Sequence, residues 1–354
     1  MPKTIFDIVT AQHIAELWTE VGYADTGMTI PLFPAAKQLG LDLKWIKGAN
    51  GVPVVMKASA FDAHAIPRAR IGFSELKAQM PYFKESTYVD EELRQNLNNV
   101  IASGNQALID VITRRIFNDD FRLLLSASAR REQMRCMLLT TGVIAMISNG
   151  QNYEFDYQVK HKANSATAWS DFANSDPIED IRIAKEAIAR DTGEVLTRAM
   201  CDGISWKNLR NNARIKNALA PVSLAVGNIS SLSDNALSRF ILDEVGITVE
   251  VNLNHYKDED GVSYPYVPDN TFVLFPSGAL GNTWFGTTPA ESDLMSSGIA
   301  NVSVVDVGVA ITTAERVDPV QVETIVSQIC LPSLEKADSL YILDTAGPET
   351  PPGP

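Results

Sequence analysis

The sequence predicts a mixed α+β chain. Three observations carry that prediction: helical spacing through residues 105–140, an Asn149-Gly150 hairpin signal between two alternating runs, and alternating apolar residues toward the C-terminus.

Residues 1–40 read as an arm. Ile5, Ile8, Val9, Ile14 and Leu17 give an amphipathic start, but Gly22, Gly27, Pro31 and Pro34 break the apolar stretches. Such a segment is expected to bury little on its own and to need neighbours to order it. Residues 41–89 read as extended. Leu41, Leu43 and Trp45 alternate up to a Gly48-Ala49-Asn50-Gly51 turn, and Val52 and Val54 alternate around Pro53, which suits an edge strand. A second extended run spans Ala69 to Val89. Together they predict a long hairpin carrying Lys47, Arg68, Arg70, Lys77 and Lys84. A two-stranded hairpin is marginal alone, so this one is expected to lie on another chain.

Asp90 caps a helix with Leu93, Leu97 and Val100 on one face. The 105–140 helix carries Phe117, Phe121, Leu124, Leu125 and Ser128 as its stripe, continued by Leu138 and Leu139. Asp119 and Asp120 read as solvated charges, since adjacent helical residues point about 100° apart and cannot converge on one substrate. Arg130, Arg131 and Arg135 lie toward its end, as the helix dipole favours, and Gly142 stops it. Val143, Ala145 and Ile147 then alternate into Asn149-Gly150, and Tyr153, Phe155 and Tyr157 alternate back.

Residues 160–175 are small and polar and read as a linker. Asp176-Pro177-Ile178-Glu179 is a helix start, with a cap, Pro in the first turn and Glu three after the cap. That helix runs to about Gly193; further helices follow Ser205 and Ser233. Ile247, Val249 and Val251 form a strand, and the tip Asp258-Glu259-Asp260-Gly261 leads to a returning strand at Thr271 to Phe275. Val305, Val307 and Val309 alternate, Val322 to Leu331 is a further strand, Leu340 to Leu343 a last one, and 347–354 a disordered or extended tail.

Composition excludes several functions. The chain has 354 residues, 45% hydrophobic and 21% charged, enough for a sizeable core without disulfides or metals. Its net charge of -13 gives no bulk attraction for phosphate, which argues against a nucleic-acid reader but not against a wall around DNA. Cys136, Cys201 and Cys330 are widely spaced and read as buried thiols of a reducing compartment. His13, His64, His161 and His255 lack metal-ligand spacing, Asp258-x-Asp260-Gly261 reads as a hairpin tip, and neither a cofactor nor a metal is expected. Walker A, dinucleotide and hydrolase-elbow motifs are missing, so no enzyme is expected. Lys207, Arg210, Arg214 and Lys216 form a basic helical run that reads as a solvated or subunit-facing side. Met1-Pro2-Lys3-Thr4 opens no signal peptide, no segment reaches transmembrane length, and no large cleaved N-terminal scaffold is expected.

Several stretches, in order, resemble one family. They are Leu32-Phe33-Pro34 with Gly40-Leu41-Asp42-Leu43; Arg68-Ala69-Arg70 through Gly72 to Met80-Pro81-Tyr82-Phe83-Lys84; the long helix, Gly142 and the Asn149-Gly150 hairpin; Ser175 to Ile181; Trp206 with its basic helix; Pro268-Asp269-Asn270-Thr271 with Trp284-Phe285-Gly286; and Val326-Ser327-Gln328 through Leu331-Pro332 to Asp338. Together they resemble the lambda-type major capsid proteins of tailed phages, the major capsid protein E family. The resemblance implies the fold shared by tailed-phage and herpesvirus capsids, with an N-terminal arm (1–40), an extended loop (41–89), a peripheral domain with a spine helix (90–175 and 300–346), an axial domain (176–299) and a flexible tail (347–354). It implies pentamers and hexamers of this chain in an icosahedral shell that encloses double-stranded DNA without sequence-specific binding. It also implies a scaffold, a portal and a decoration protein as partners, the virion as location and the host cytoplasm during assembly. Expected subunit contacts are Arg68, Arg70, Glu75 and Lys84 on the loop and Trp206 and Arg210 at a capsomer centre. An encapsulating cellular nanocage of the same fold and a soluble acidic enzyme are the alternatives, to be told apart by a neighbouring portal or terminase gene, by a cargo enzyme, or by turnover in a small oligomer.

Overall fold

The computed structural model describes residues 9–21, 27–47, 74–89, 91–103, 106–219, 232–318 and 320–348. Helices are α1 (Ala11–Val21), α2 (Glu91–Ser103), α3 (Gln106–Thr141), α4 (Pro177–Thr192), α5 (Gly203–Asn211), α6 (Ala213–Leu219) and α7 (Asp234–Val245). Strands are β1 (Ala35–Lys37), β2 (Asp42–Lys47), β3 (Ser74–Gln79), β4 (Tyr82–Val89), β5 (Val143–Ser148), β6 (Gln151–Asp156), β7 (His161–Asn164), β8 (Leu196–Cys201) and β9 (Thr248–Val251). They continue with β10 (His255–Lys257), β11 (Ser263–Pro265), β12 (Thr271–Pro276), β13 (Thr283–Phe285), β14 (Asn301–Val305), β15 (Val309–Val317), β16 (Val320–Pro332) and β17 (Tyr341–Asp344). The chain divides into two compact units, one of residues 1–44, 77–134 and 282–333, the other of 45–76, 135–281 and 334–354.

The first unit is built on the long strand β16. Its Val320–Gln328 stretch pairs antiparallel with β15, and its other edge takes β4 and then β13, which carries β1 in parallel; β14 closes the sheet beyond β15. The alternating face Val322, Thr324, Val326 and Gln328 is buried, and the Gln328 side-chain amide donates to the Ala127 carbonyl of α3 at 2.9 Å. Val9, Ala11, Ile14 and Trp18 are buried as well, since α1 packs on β14 and β15. The expectation that the arm buries little is thus corrected. The 11, 14, 18 spacing gives α1 an apolar stripe, and its own sheet supplies the surface that stripe needs.

Three further readings are corrected. On α3, Ile116, Asp120, Leu124, Ala127 and Arg131 are buried and Leu125 is exposed, and from Arg131 to Thr140 every position but Met137 is buried, the expected Leu138 and Leu139 among them. The stripe is therefore rotated from the expected one and includes Asp120 and Arg131. Residues 305–309 are not one strand: Asp306 turns with φ 52°, so Val305 and Val309 face each other across a hairpin. Tyr82–Val89 joins the large sheet along β16, leaving β2 with β3 as the two-stranded ribbon.

The second unit holds a five-stranded sheet in the order β7-β17-β12-β8-β9. The central β12 is buried along its whole length. The expected linker 160–175 contains β7, which pairs in parallel with β17, because a short polar strand can be recruited to an edge that its own sequence does not advertise. Thr271–Pro276 returns to β17 and β8, not to the acidic tip, which joins the short strands β10 and β11 instead. Helices α4, α5 and α7 cover the sheet through Ile181, Ile188, Leu209, Leu237 and Ile241, with Trp169 against Phe272 at 5.2 Å between ring centroids.

The caps match the sequence signals. The Asp176 carboxylate accepts from Glu179 N–H, with Pro177 in the first turn and Gly193 closing α4 at φ 76°. Ser233 caps α7, and a cap of this kind contributes about 1 kcal/mol. Helix α5 starts earlier than expected: Asp202, not Ser205, is its cap, accepting from the N–H groups of Ile204 and Ser205.

Candidate assembly surfaces

Of the loop residues, Arg68 and Arg70 lie outside the described residues. Glu75 is in β3. Lys84 is exposed on β4, with its Cα opposite Ser327. It alternates with Tyr82 and Tyr88, the latter 63% exposed, so this side of β4 offers an aromatic and basic strip to solvent. The opposite side of β4 faces α3: the Arg130 guanidinium lies 5.6 Å over the Phe83 ring, and the Ser126 hydroxyl donates to Glu85 at 2.8 Å. Next to the strip, Leu41, Tyr82, Thr287, Pro289 and Ile329 line a shallow hollow.

Trp206 and Arg210 share one anchor. The Trp206 indole N–H donates to Asp234 at 3.0 Å, and Arg210 reaches the same oxygen at 3.4 Å. Trp206 is only 8% exposed and packs in the core of its unit, so it supports the surface while Arg210 forms it. The basic run is partly neutralised within the chain, because Arg214 pairs with Asp176 as Arg210 does with Asp234. Asp202 pins the start of α5 to β12 by also accepting from Thr271 N–H at 3.1 Å.

Two hairpin tips meet in the second unit. Glu259, at the tip between β10 and β11, accepts from the Ser148 hydroxyl and, at 3.4 Å, from Asn149 N–H of the β5–β6 turn. Asp258 closes its own turn by accepting from the N–H groups of Asp260 at 3.1 Å and Val262 at 2.7 Å. The Asp258 carboxylate is thus committed to turn geometry and that of Glu259 to the contact with Ser148 and Asn149, and no group of three metal-ligating side chains exists among the described residues.

The first unit contains a polar junction that sequence reading missed. Asp306 accepts from the Trp18 indole at 3.3 Å and pairs with Arg131 at 3.1 Å, while Arg131 also donates to Gln328 at 2.8 Å. Arg131 is fully buried. A second tie holds the N-terminal segment, where the Thr29 hydroxyl donates to Glu132 at 2.6 Å. The partners are between 103 and 288 residues apart in sequence, which is why no local pattern announces them.

Titration behaviour marks one group. Burial raises the Asp120 carboxyl to about 7, against a lowering by the Thr324 hydroxyl and with a further rise from Asp119. Its Oδ2 has no hydrogen-bond partner among the described residues. Its reading as a solvated charge is corrected: Asp119 is solvated, and Asp120, one helical step away, faces β16. Burial likewise pushes the Cys201 thiol up, and all three cysteines are buried. His161 meets Asp191 at 3.0 Å and the His255 ring meets the Leu253 carbonyl at 3.0 Å. Among the described residues no helix is long and apolar enough to cross a membrane.

Solved structures share this architecture. A capsid protein of a prophage of E. coli CFT073 superposes with a TM-score of 0.58 at 15% identity, over 96% of this chain and 99% of that one. A phage-related protein from Bordetella bronchiseptica RB50 gives 0.53 at 15% identity, over 96% and 98%. The capsid subunit of cyanophage A-1(L) gives 0.54 at 12% identity, over 91% and 93%. Among curated protein sequences none matches the chain. The family model described as phage major capsid protein E matches residues 11–345, nearly the whole sequence and both compact units. The chain therefore belongs to the phage major capsid protein E family, and it is a structural subunit of a phage capsid shell.

Proposed function

We propose that this subunit forms the pentamers and hexamers of an icosahedral head that encloses the double-stranded DNA of a tailed phage, without sequence-specific DNA contact and without catalysis. The observation that carries this reading is the family match across residues 11–345. The net charge of -13 supports it, since an acidic wall repels packaged DNA and does not hold it. In this reading residues 1–40 are the arm, 41–89 the extended loop, 90–175 with 300–346 the peripheral domain, 176–299 the axial domain and 347–354 the tail. The β2–β3 ribbon supports the loop assignment, because a two-stranded ribbon is marginal by itself and gains stability on a neighbour. Assembly takes place in the host cytoplasm on a scaffold and around a portal, and a decoration protein can join the finished shell.

Arg68, Arg70, Glu75 and Lys84 contact adjacent subunits through charge pairs, and Arg210, supported by Trp206, lies near a capsomer centre. Hundreds of modest heterologous contacts then add up to a stable shell. The test is charge reversal. Arg70→Glu and, separately, Lys84→Glu are expected to stop shell formation and leave soluble subunits with the melting temperature of the unaltered chain. Normal shells from both variants would overturn the loop contact.

A further inference from the structure

Among the described residues the exposed side of α5 has no partner, and its character is mixed. Ile204 is 41% exposed, and Leu253, 67% exposed, lies against the preceding Gly203. The closeness is set by Gly203, where an added Cβ would come within 2.8 Å of Leu253 Cδ2. Lys207, one helical turn after Ile204 and on the same side, is exposed and makes no ion pair among the described residues. Neighbouring Arg210 and Arg214 are already matched by Asp234 and Asp176. The face thus has two apolar side chains and one unmatched cation. That is too little charge for a phosphate backbone, whose binding rests on several cations acting together. It suits a partner with one carboxylate beside an apolar residue.

The same compact unit carries such a partner. At the β10–β11 tip, Asp258 is spent on its own turn and Glu259 on the Ser148 and Asn149 clasp. Asp260 is exposed and makes no ion pair among the described residues, and it stands beside Gly261 and the half-exposed Val262. The clasp fixes the tip, so Asp260 and Val262 are presented in place without an ordering cost at contact.

We infer that the Ile204–Lys207–Leu253 face of one subunit receives the Asp260–Val262 tip of a second copy, with Lys207 paired to that copy's Asp260. The contact is heterologous, head to tail, and closes into a ring. The inference rests on the shell reading above and names the partner for the surface next to Arg210. The pair gives register and partner choice more than affinity, and Ile204, Leu253 and Val262 supply the buried apolar area.

The experiment uses the full chain under conditions in which it forms shells, with Lys207→Glu, Asp260→Lys and the two combined. Each single variant is expected to cut the shell yield by about tenfold or more, the effect of roughly 1.4 kcal/mol per contact. The combined variant is expected to regain most of that yield, because the pair is restored with its signs exchanged. All three should melt like the unaltered chain, since both side chains are exposed and make no ion pair among the described residues. Ile204→Ser tests the same face without a charge and is expected to lower the yield too. Single variants that assemble normally, or a combined variant no better than either single, would overturn the inference while leaving the shell reading intact. If the unaltered chain forms no shell in any condition, the shell reading fails first and this contact with it.

Discussion

At the residue scale, the molecule places polar groups where burial makes them consequential. Asp120 is 2% exposed, and its carboxyl ionises at about 7 in the folded chain against 3.8 ordinarily. Between those values the folded chain keeps a proton that the unfolded chain has released. The contribution of Asp120 to stability therefore falls as pH rises from about 4 to about 7 and levels off above. Asp120→Asn should flatten this slope: the difference in melting temperature between pH 5 and pH 8 shrinks. An unchanged difference would mean that Asp120 is not the titrating group. Asp306 is the counterpart case. Removing its carboxylate takes away the ion pair of the buried Arg131, so Asp306→Ala should cost about 2 kcal/mol in a denaturant melt. Local signals at this scale were readable in the sequence: Asp176 with Pro177, Ser233 and Asn149-Gly150 each depend on neighbours within four positions. Asp120 and Arg131 were not, because what buries them is β16, about two hundred positions away.

At the element scale, marginal pieces are held by a few contacts. The β5–β6 and β10–β11 hairpins are each short, and Glu259 ties their tips together. Glu259→Ala should therefore speed hydrogen exchange at the amides of residues 144–155 by about fivefold, the effect of ~1 kcal/mol of lost hydrogen bonding. Exchange unchanged there would show that the clasp is not what protects the hairpin. At the junction between α3 and β5, Gly142 has φ 72° and an added Cβ would come within 2.7 Å of Val159. Gly142→Ala combines a left-handed backbone with a clash and should lower the melting temperature clearly, at ~1 kcal/mol for the backbone alone. Helices and tight turns were legible at this scale since their periods and caps are local. Strand β7 and the split of 301–317 into β14 and β15 were not. A polar edge strand and a Val-Asp-Val-Gly-Val turn look respectively like linker and strand until a partner fixes the register.

At the scale of the whole molecule, the order β1-β13-β16-β15-β14 with β4 on β16, and the order β7-β17-β12-β8-β9, bring together strands from distant parts of the chain. No periodicity encodes such orders; the resemblance to a family supplied the architecture, and the match over residues 11–345 places the chain in it. A shell subunit of this kind keeps part of its stabilising surface for copies of itself. The exposed strip along β4 and the α5 face fit that division of labour. The central claim is that copies of this chain close into a shell, and electron microscopy of the purified protein, with and without a co-expressed scaffold, tests it most directly. The account predicts closed shells tens of nanometres across in at least one of the two conditions. A persistent monomer or dimer in both would contradict it.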